Sequence, residues 1–219
     1  YRYERLSKYG NTDELLVILA FSGGGTRAAA FSFGVMEGLS DATYGPGRRR
    51  LLEDVDVISS VSGGSFTAAY YALFRDTMFT DEGRHTFLHE KIQFQDELIG
   101  RALWPVNWVR LLSATFDRIN LAAELYDERL FEGKTFRDLM GRKPYLILNA
   151  TDMTLGARFE FTQDQFDLLC SDLSGVAVGR AVAASSAFPI LLSPLTLRNY
   201  AAEECGYRQP LWLANALRP

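Results

Sequence analysis

The residues best placed to do chemistry lie in "VISSVSGGSFTAAYYALF", Val57 to Phe74. The segment is β-branched and apolar up to Val61, then gives Ser62-Gly63-Gly64, then continues in good helix formers. A serine at a sharp strand-to-helix turn is either a helix cap or a nucleophile. The nucleophile elbow of serine hydrolases reads G-x-S-x-G, and the counterpart here is Ser60-Val61-Ser62-Gly63-Gly64. The trailing glycine is present, and Ser60, still a small residue, stands at the leading position. Small residues are needed because strand and helix nearly collide at such a turn. The turn strains the backbone of the central serine and exposes its hydroxyl, while the helix beginning at Gly63 directs its positive end to the same spot.

A second turn, Gly23-Gly24-Gly25-Thr26-Arg27, follows an apolar run and precedes a run of small residues. Three glycines in this position leave backbone N–H groups bare, which suits the oxyanion of acyl transfer. The rival is dinucleotide binding, since Gly23-x-Gly25-x-x-Ala28 fits G-x-G-x-x-[GA]. The place about twenty positions on where an acidic residue is expected falls in Gly45–Arg50, which carries none, and Arg27 does not supply the Gly-Lys-Ser/Thr of a Walker loop. If both strands are parallel, both turns open on one edge of the sheet. An anion hole then faces an exposed serine.

A Ser-His-Asp triad would need a histidine downstream of the serine and its acid, and the chain's two histidines, His85 and His89, do not provide one. Their spacing could chelate a metal, but no third ligand is evident, and an exposed helix face is the expectation. No metal or cofactor is implied. A serine hydrolase without histidine can use an aspartate directly, and Asp152, after "YLILNAT", is one candidate substitute base.

The elements that position these groups read as α/β. "LLVILAF" (Leu15–Phe21) has the continuous apolar character of a strand buried on both faces, followed by a helix ending near Gly38. Arg48–Arg50 read as a charged loop, "VDVISSV" as a second buried strand, and the segment after Ser62 as a second helix. Residues 76–140 are charged and aromatic with helical spacing, and read as a helical insertion. Tyr145–Thr151 returns to strand, Ala157–Thr162 alternates like an antiparallel partner, and Gly175–Phe188 is a helix stopped by Pro189. The tail reads as loop. Strand, glycine turn, helix, repeated, predicts a mostly parallel central sheet with helices on both faces.

GGGTR, SVSGGS, a helical insertion, "NATDMTLGARFEF" and "AVAASSAFPILLSP", in that order, resemble the bacterial patatin-like phospholipases from Leu15 to Pro194. The resemblance implies a three-layer patatin-like fold and a lipid acyl hydrolase with a Ser-Asp dyad. Ser62 would be the nucleophile; Gly23, Gly24 and Gly25 would form the oxyanion hole; Gly63 and Gly64 would be the elbow glycines. Arg27 would steady the loop or meet an anionic head group. In the family the dyad aspartate sits in an Asp-Gly-Gly/Ala motif downstream of the "ASSAFP" helix. This chain has no Asp-Gly dipeptide, and its last aspartate is Asp172. The expectation is one patatin-like domain over 1–219, continuing past Pro219 to its base. The resemblance makes "ATD" part of scaffold and pocket, which argues against Asp152 as the base. Without a base the chain would be a weak hydrolase or a lipid-binding module.

The resemblance also implies a lipid or phospholipid partner with peripheral membrane contact. Trp104, Trp108, Leu111 and Leu112 follow helical spacing in "RALWPVNWVRLLSATF". They read as a core-facing stripe, with an interfacial lid as the alternative. Phe31, Phe33, Tyr70, Tyr71 and Phe74 read as packing, and Ser185 and Ser186 as close-packing residues near the site. A net charge of −4 gives no basic field for nucleic acid. An apolar fraction of 47% over 219 residues supports a sizeable core. No segment is long and apolar enough to span a bilayer. Cys170 and Cys205 fit no zinc spacing and could pair once.

Overall fold

A computed structural model describes residues 1–2, 15–93, 95–112, 116–188, 192–203, 205 and 210–217. The polar lead-in over 3–14 and the prolines at 189 and 219 lie outside the described residues. The chain runs through β1 (Val17–Phe21), α1 (Gly25–Asp41), a short hairpin of β2 (Thr43–Tyr44) and β3 (Arg49–Arg50), β4 (Val55–Val61) and α2 (Gly63–Met78). Residues 81–126 carry α3 (Asp81–His85), α4 (Gln95–Leu103), α5 (Pro105–Leu111) and α6 (Arg118–Tyr126). Then come β5 (Tyr145–Asp152), β6 (Ala157–Glu160), α7 (Gln163–Leu168), α8 (Val178–Ser185) and α9 (Leu211–Ala216).

The main sheet has the order β1-β4-β5-β6. β1 and β5 run parallel to the central β4, and β6 returns antiparallel to β5. The register pairs Phe21 with Ser60 and Val61 with Asn149, so the chain leaves β1, β4 and β5 at one edge. Both glycine turns therefore open on that edge, as the parallel reading requires.

Strand periodicity separates two faces. Leu146, Leu148, Ile58 and Ser60 are buried and face α2, whose Ser65 hydroxyl approaches that of Ser60. The partners Ile18, Ala20, Ser59 and Val61 form the opposite face. Here the expectation of a first strand buried on both faces fails: Ile18 is 57% exposed. β1 is an edge strand of the described sheet, and the described helices packed on the sheet, α2 and α8, touch each other and share the first face. The open face carries a shallow cavity of about 360 Å³ lined by residues that include Ala20, Ser59, Val61, Asn149 and Arg158, and Ser62 is not among them.

The core joins the sheet, α1, α2, α6 and α8 through Phe33, Met36, Ile58, Leu125 and Val182, all essentially solvent-free. Its edge is pinned by a buried ion pair: Lys143 Nζ lies 2.7 Å from Asp56 Oδ1, while Asp56 Oδ2 accepts the Val17 amide. Arg49 and Arg50, expected in a loop, form the strand of the small hairpin, because Arg49 and Tyr44 both bind the buried Asp54 carboxylate. The tail contains the short α9, and Cys170 and Cys205 form a disulfide. Among the described residues no helix is long and apolar enough to cross a membrane.

Two packing expectations change. Phe31 is 75% exposed, whereas Phe33, Tyr70 and Tyr71 are buried as expected. Trp104 is 63% exposed at the corner between α4 and α5, with Leu103 and Val106 beside it, so it is not a core-facing residue. The α4–α5 corner is held by Asn107 Nδ2 donating to the Arg101 carbonyl, while the Arg101 side chain pairs with Glu97 on its own helix and with Glu128 beyond α6. The side chain of Trp108 lies outside the described residues.

Candidate active site

β4 ends at Val61 and α2 begins at Gly63, leaving Ser62 alone to turn the chain. Ser62 has φ 53° and ψ −123°. A left-handed φ is uncommon for a serine, and such strain costs of order 1–3 kcal/mol. Its side chain makes no capping hydrogen bond to α2. The hydroxyl is therefore not occupied as a helix cap, which was the alternative explanation for a serine in this turn.

The neighbouring glycines are required by close approach. A Cβ on Gly64 would sit 2.6 Å from Phe21 Cβ and 2.8 Å from the Ser22 carbonyl oxygen, and on Gly63 it would sit 2.1 Å from the Gly25 carbonyl oxygen. The start of α2 thus lies directly against the loop leaving β1, and a hydrogen bond from Gly64 N to Ser22 O, 3.2 Å, ties the two. On the other side, the Cβ position of Gly23 lies 3.5 Å from Ser62 Oγ. Gly24 and Gly25 have φ 138° and 64°, conformations open to glycine. The two glycine turns, 37 residues apart between Gly25 and Ser62 by their numbering, are one structure.

The backbone donors follow. Ser65 N donates to Ser62 O and Gly64 N to Ser22 O. The amides of Gly23, Gly24, Gly25 and Gly63 have no hydrogen-bond acceptor among the described residues. Gly63, read from sequence as a spacer, therefore also offers a free amide directly after the serine, the usual position of an oxyanion donor. Arg27, two residues into α1, is exposed and has no partner among the described residues.

The other sequence candidates fall elsewhere. Asp152 closes β5, and its Oδ1 accepts the amides of Thr154 and Leu155 at 2.8 and 3.3 Å. It holds the β5–β6 turn, and no hydrogen bond joins it to Ser62 among the described residues. His85 and His89 lie with ring centroids 4.8 Å apart, tilted by 36°, on an exposed segment, and the described residues contain no cluster of three potential metal ligands.

Beneath the elbow lies a polar group that the sequence shows only as scattered serines. Ser185, the last residue of α8, accepts the Ser62 amide at 2.9 Å and donates to the Asn149 carbonyl at 2.6 Å. Ser65 Oγ lies 3.0 Å from Ser185 Oγ and 3.2 Å from Ser60 Oγ. Asn149 Nδ2 in turn bonds the Ser60 carbonyl and Ser59 Oγ. The adjacent Ser186 meets Tyr126, whose hydroxyl is pushed up to about 12 by burial and stays protonated as a neutral donor.

The human GIVD cytosolic phospholipase A2, solved in complex with methyl gamma-linolenyl fluorophosphonate, shares the fold with a TM-score of 0.52 at 18% identity. The match covers 94% of this chain and 34% of that one, so the present chain spans about a third of that enzyme's length. A search of curated proteins finds no match. The model of the patatin-like phospholipases matches residues 19–207, which contain both glycine turns, the insertion and α8. The chain belongs to the patatin-like phospholipase family.

Proposed function

We propose that this chain carries the nucleophile and oxyanion hole of a serine acyl hydrolase that cleaves fatty-acyl esters of phospholipids or related lipids. The observation that carries the reading is Ser62: a strained serine between strand and helix, with an uncapped hydroxyl against a loop of bare amides. In the reaction, Ser62 Oγ attacks the acyl carbonyl carbon and its proton passes to a general base. The carbonyl oxygen takes the negative charge among the amides of Gly23–Gly25 and Gly63. Collapse expels the alcohol, and water then releases the fatty acid from the acyl-serine. Arg27, exposed beside the glycine loop, suits an anionic head group. The exposed Leu103-Trp104-Pro105-Val106 corner suits peripheral contact with a lipid surface. The family resemblance places the base in an Asp-Gly-Gly/Ala motif that this sequence lacks.

A second reading, a lipid-binding module of the same fold, is favoured by one observation: no carboxylate hydrogen-bonds Ser62 Oγ among the described residues. Intact mass after treatment with an alkyl fluorophosphonate separates the two. One adduct that disappears in Ser62→Ala supports the hydrolase. No adduct on the folded chain supports the module, because an unassisted serine hydroxyl is a weak nucleophile.

A further inference from the structure

We propose that Ser185 is a positioning residue for acyl transfer at Ser62, holding the strained elbow from a separate helix; this rests on the reading of Ser62 as nucleophile. Ser185 lies 123 positions from Ser62 and is 8% exposed. Its hydroxyl has one proton, and the Asn149 carbonyl, which can only accept, takes it. The oxygen is then an acceptor for the Ser62 amide. The Ser62 carbonyl is held separately by the Ser65 amide. Both backbone polar groups of the strained residue are thereby engaged, the carbonyl by its own helix and the amide by α8 and, through Asn149, by β5.

The same arrangement accounts for Ser60, where the elbow pattern has glycine. Ser60 is buried, and its hydroxyl lies within reach of Ser65, which touches Ser185. An alanine at 60 would fit the space but leave the Ser65 hydroxyl with one contact fewer. The hydroxyls of 60, 65 and 185 connect β4, α2 and α8 directly beneath the reacting oxygen. A positional error of about 1 Å at a nucleophile can cost about a hundredfold in rate, so a contact that fixes the Ser62 peptide acts on rate without touching substrate.

The test compares the chain with Ser185→Ala, Ser185→Thr and Gly34→Ala. Two readouts are taken: site-resolved hydrogen exchange of the Ser62 amide, and alkyl fluorophosphonate inactivation resolved into a maximal rate and a half-saturating concentration. In Ser185→Ala the Ser62 amide is expected to exchange at least about tenfold faster while the Leu146 amide, bonded to Tyr1, is unchanged. The maximal labelling rate is expected to fall at least about tenfold with the half-saturating concentration unchanged. Ser185→Thr, which restores the hydroxyl, recovers both, and Gly34→Ala, in α1 with nothing within 4 Å of its Cβ position, stays within about threefold of the parent. Wild-type exchange at Ser62 in Ser185→Ala, or wild-type labelling by a folded Ser185→Ala chain, overturns the proposal. If Ser185→Ala does not fold, Ser185→Cys, of similar volume and with a poor acceptor, takes its place. If the unmodified chain does not label, the nucleophile reading fails and the exchange measurement alone decides whether Ser185 holds the elbow.

Discussion

Gly63→Ala is the sharpest test of the two-loop site. A Cβ at this position would lie 2.1 Å from the Gly25 carbonyl oxygen and 2.9 Å from the Gly25 carbon and nitrogen. The oxygen distance has to open to at least 3.0 Å before it enters the range that real Cβ atoms occupy. The obstacle is backbone, so no side-chain rotation relieves it. Moving α2 away strains the Gly64–Ser22 hydrogen bond, and moving the loop displaces Gly23, which lies against Ser62. Overpacking of this kind costs about 1–3 kcal/mol. Displacing an oxyanion donor costs about 10²–10³-fold in rate. Gly34→Ala is the internal control: Gly34 lies within α1 with nothing inside 4 Å of its Cβ position. There the substitution should stabilise by about 0.5–1 kcal/mol through helix propensity. Urea midpoints of the two variants should therefore move in opposite directions from the parent, while fluorophosphonate labelling falls in Gly63→Ala alone. A Gly63→Ala chain within about 0.5 kcal/mol of the parent, labelling at the same rate, refutes the close approach as a constraint on the site.

Lys143→Met should lower stability by about 3–5 kcal/mol in urea titration, since it leaves the Asp56 carboxylate buried without its cation. Adding Asp56→Asn, which keeps an acceptor for the Val17 amide, should recover more than half of that loss. Asp127 is raised above the usual carboxylate range by burial, opposed by a hydrogen bond from the Gly179 amide. Because the folded pKa exceeds the unfolded one, its ionisation removes stability as pH rises through that window and leaves it absent above. Asp127→Asn should therefore be more stable than the parent at pH 7 and no more stable at pH well below 4, read from urea midpoints at both pH values. Asp152→Asn keeps an oxygen for the Thr154 and Leu155 amides, so labelling of Ser62 should stay within about twofold. A large loss of labelling on a folded Asp152→Asn chain would return Asp152 to the role of base.

What could be read from the sequence is what local sterics dictate. Ser62-Gly63-Gly64 and Gly23–Gly25 are legible because tight turns leave few residue choices, and the parallel register then brings them to one edge. The boundaries of β4 and β5 were similarly accessible, since Val55–Val61 and Tyr145–Asp152 are β-branched and apolar runs. The misreadings share another cause: apolar composition reports that a residue suits a core, not that a neighbour arrives to cover it. Ile18, Phe31 and Trp104 are all apolar at regular spacing, and all three are exposed. The β2–β3 hairpin is marked by Gly45-Pro46-Gly47, but the three arginines obscure its second strand, whereas the Cys170–Cys205 pairing over 35 positions carries no local signal. Ser185 is the extreme case, a serine among small residues whose partner lies 123 positions away.

The arrangement around Ser62 explains why the departure from the elbow pattern is tolerated. Glycine at the leading position answers a steric demand, that the strand residue two before the nucleophile must not crowd the helix. Serine adds a hydroxyl to that crowded place, and a buried hydroxyl without a partner is destabilising. Here it meets Ser65 on the first turn of α2, at the point where α8 brings Ser185. The added polar group is absorbed into contacts that also engage the Ser62 amide. Strain of this kind persists only where the surroundings over-determine it. Three elements, β4, α2 and α8, converge on one peptide unit, and the side chain of that residue has no protein hydrogen-bond partner among the described residues. A serine stabilised for its own sake would have turned its hydroxyl onto the first α2 amides. Here the Gly64 and Ser65 amides go to backbone carbonyls instead, and the Gly63 amide, directly after the serine, is left for an incoming carbonyl oxygen.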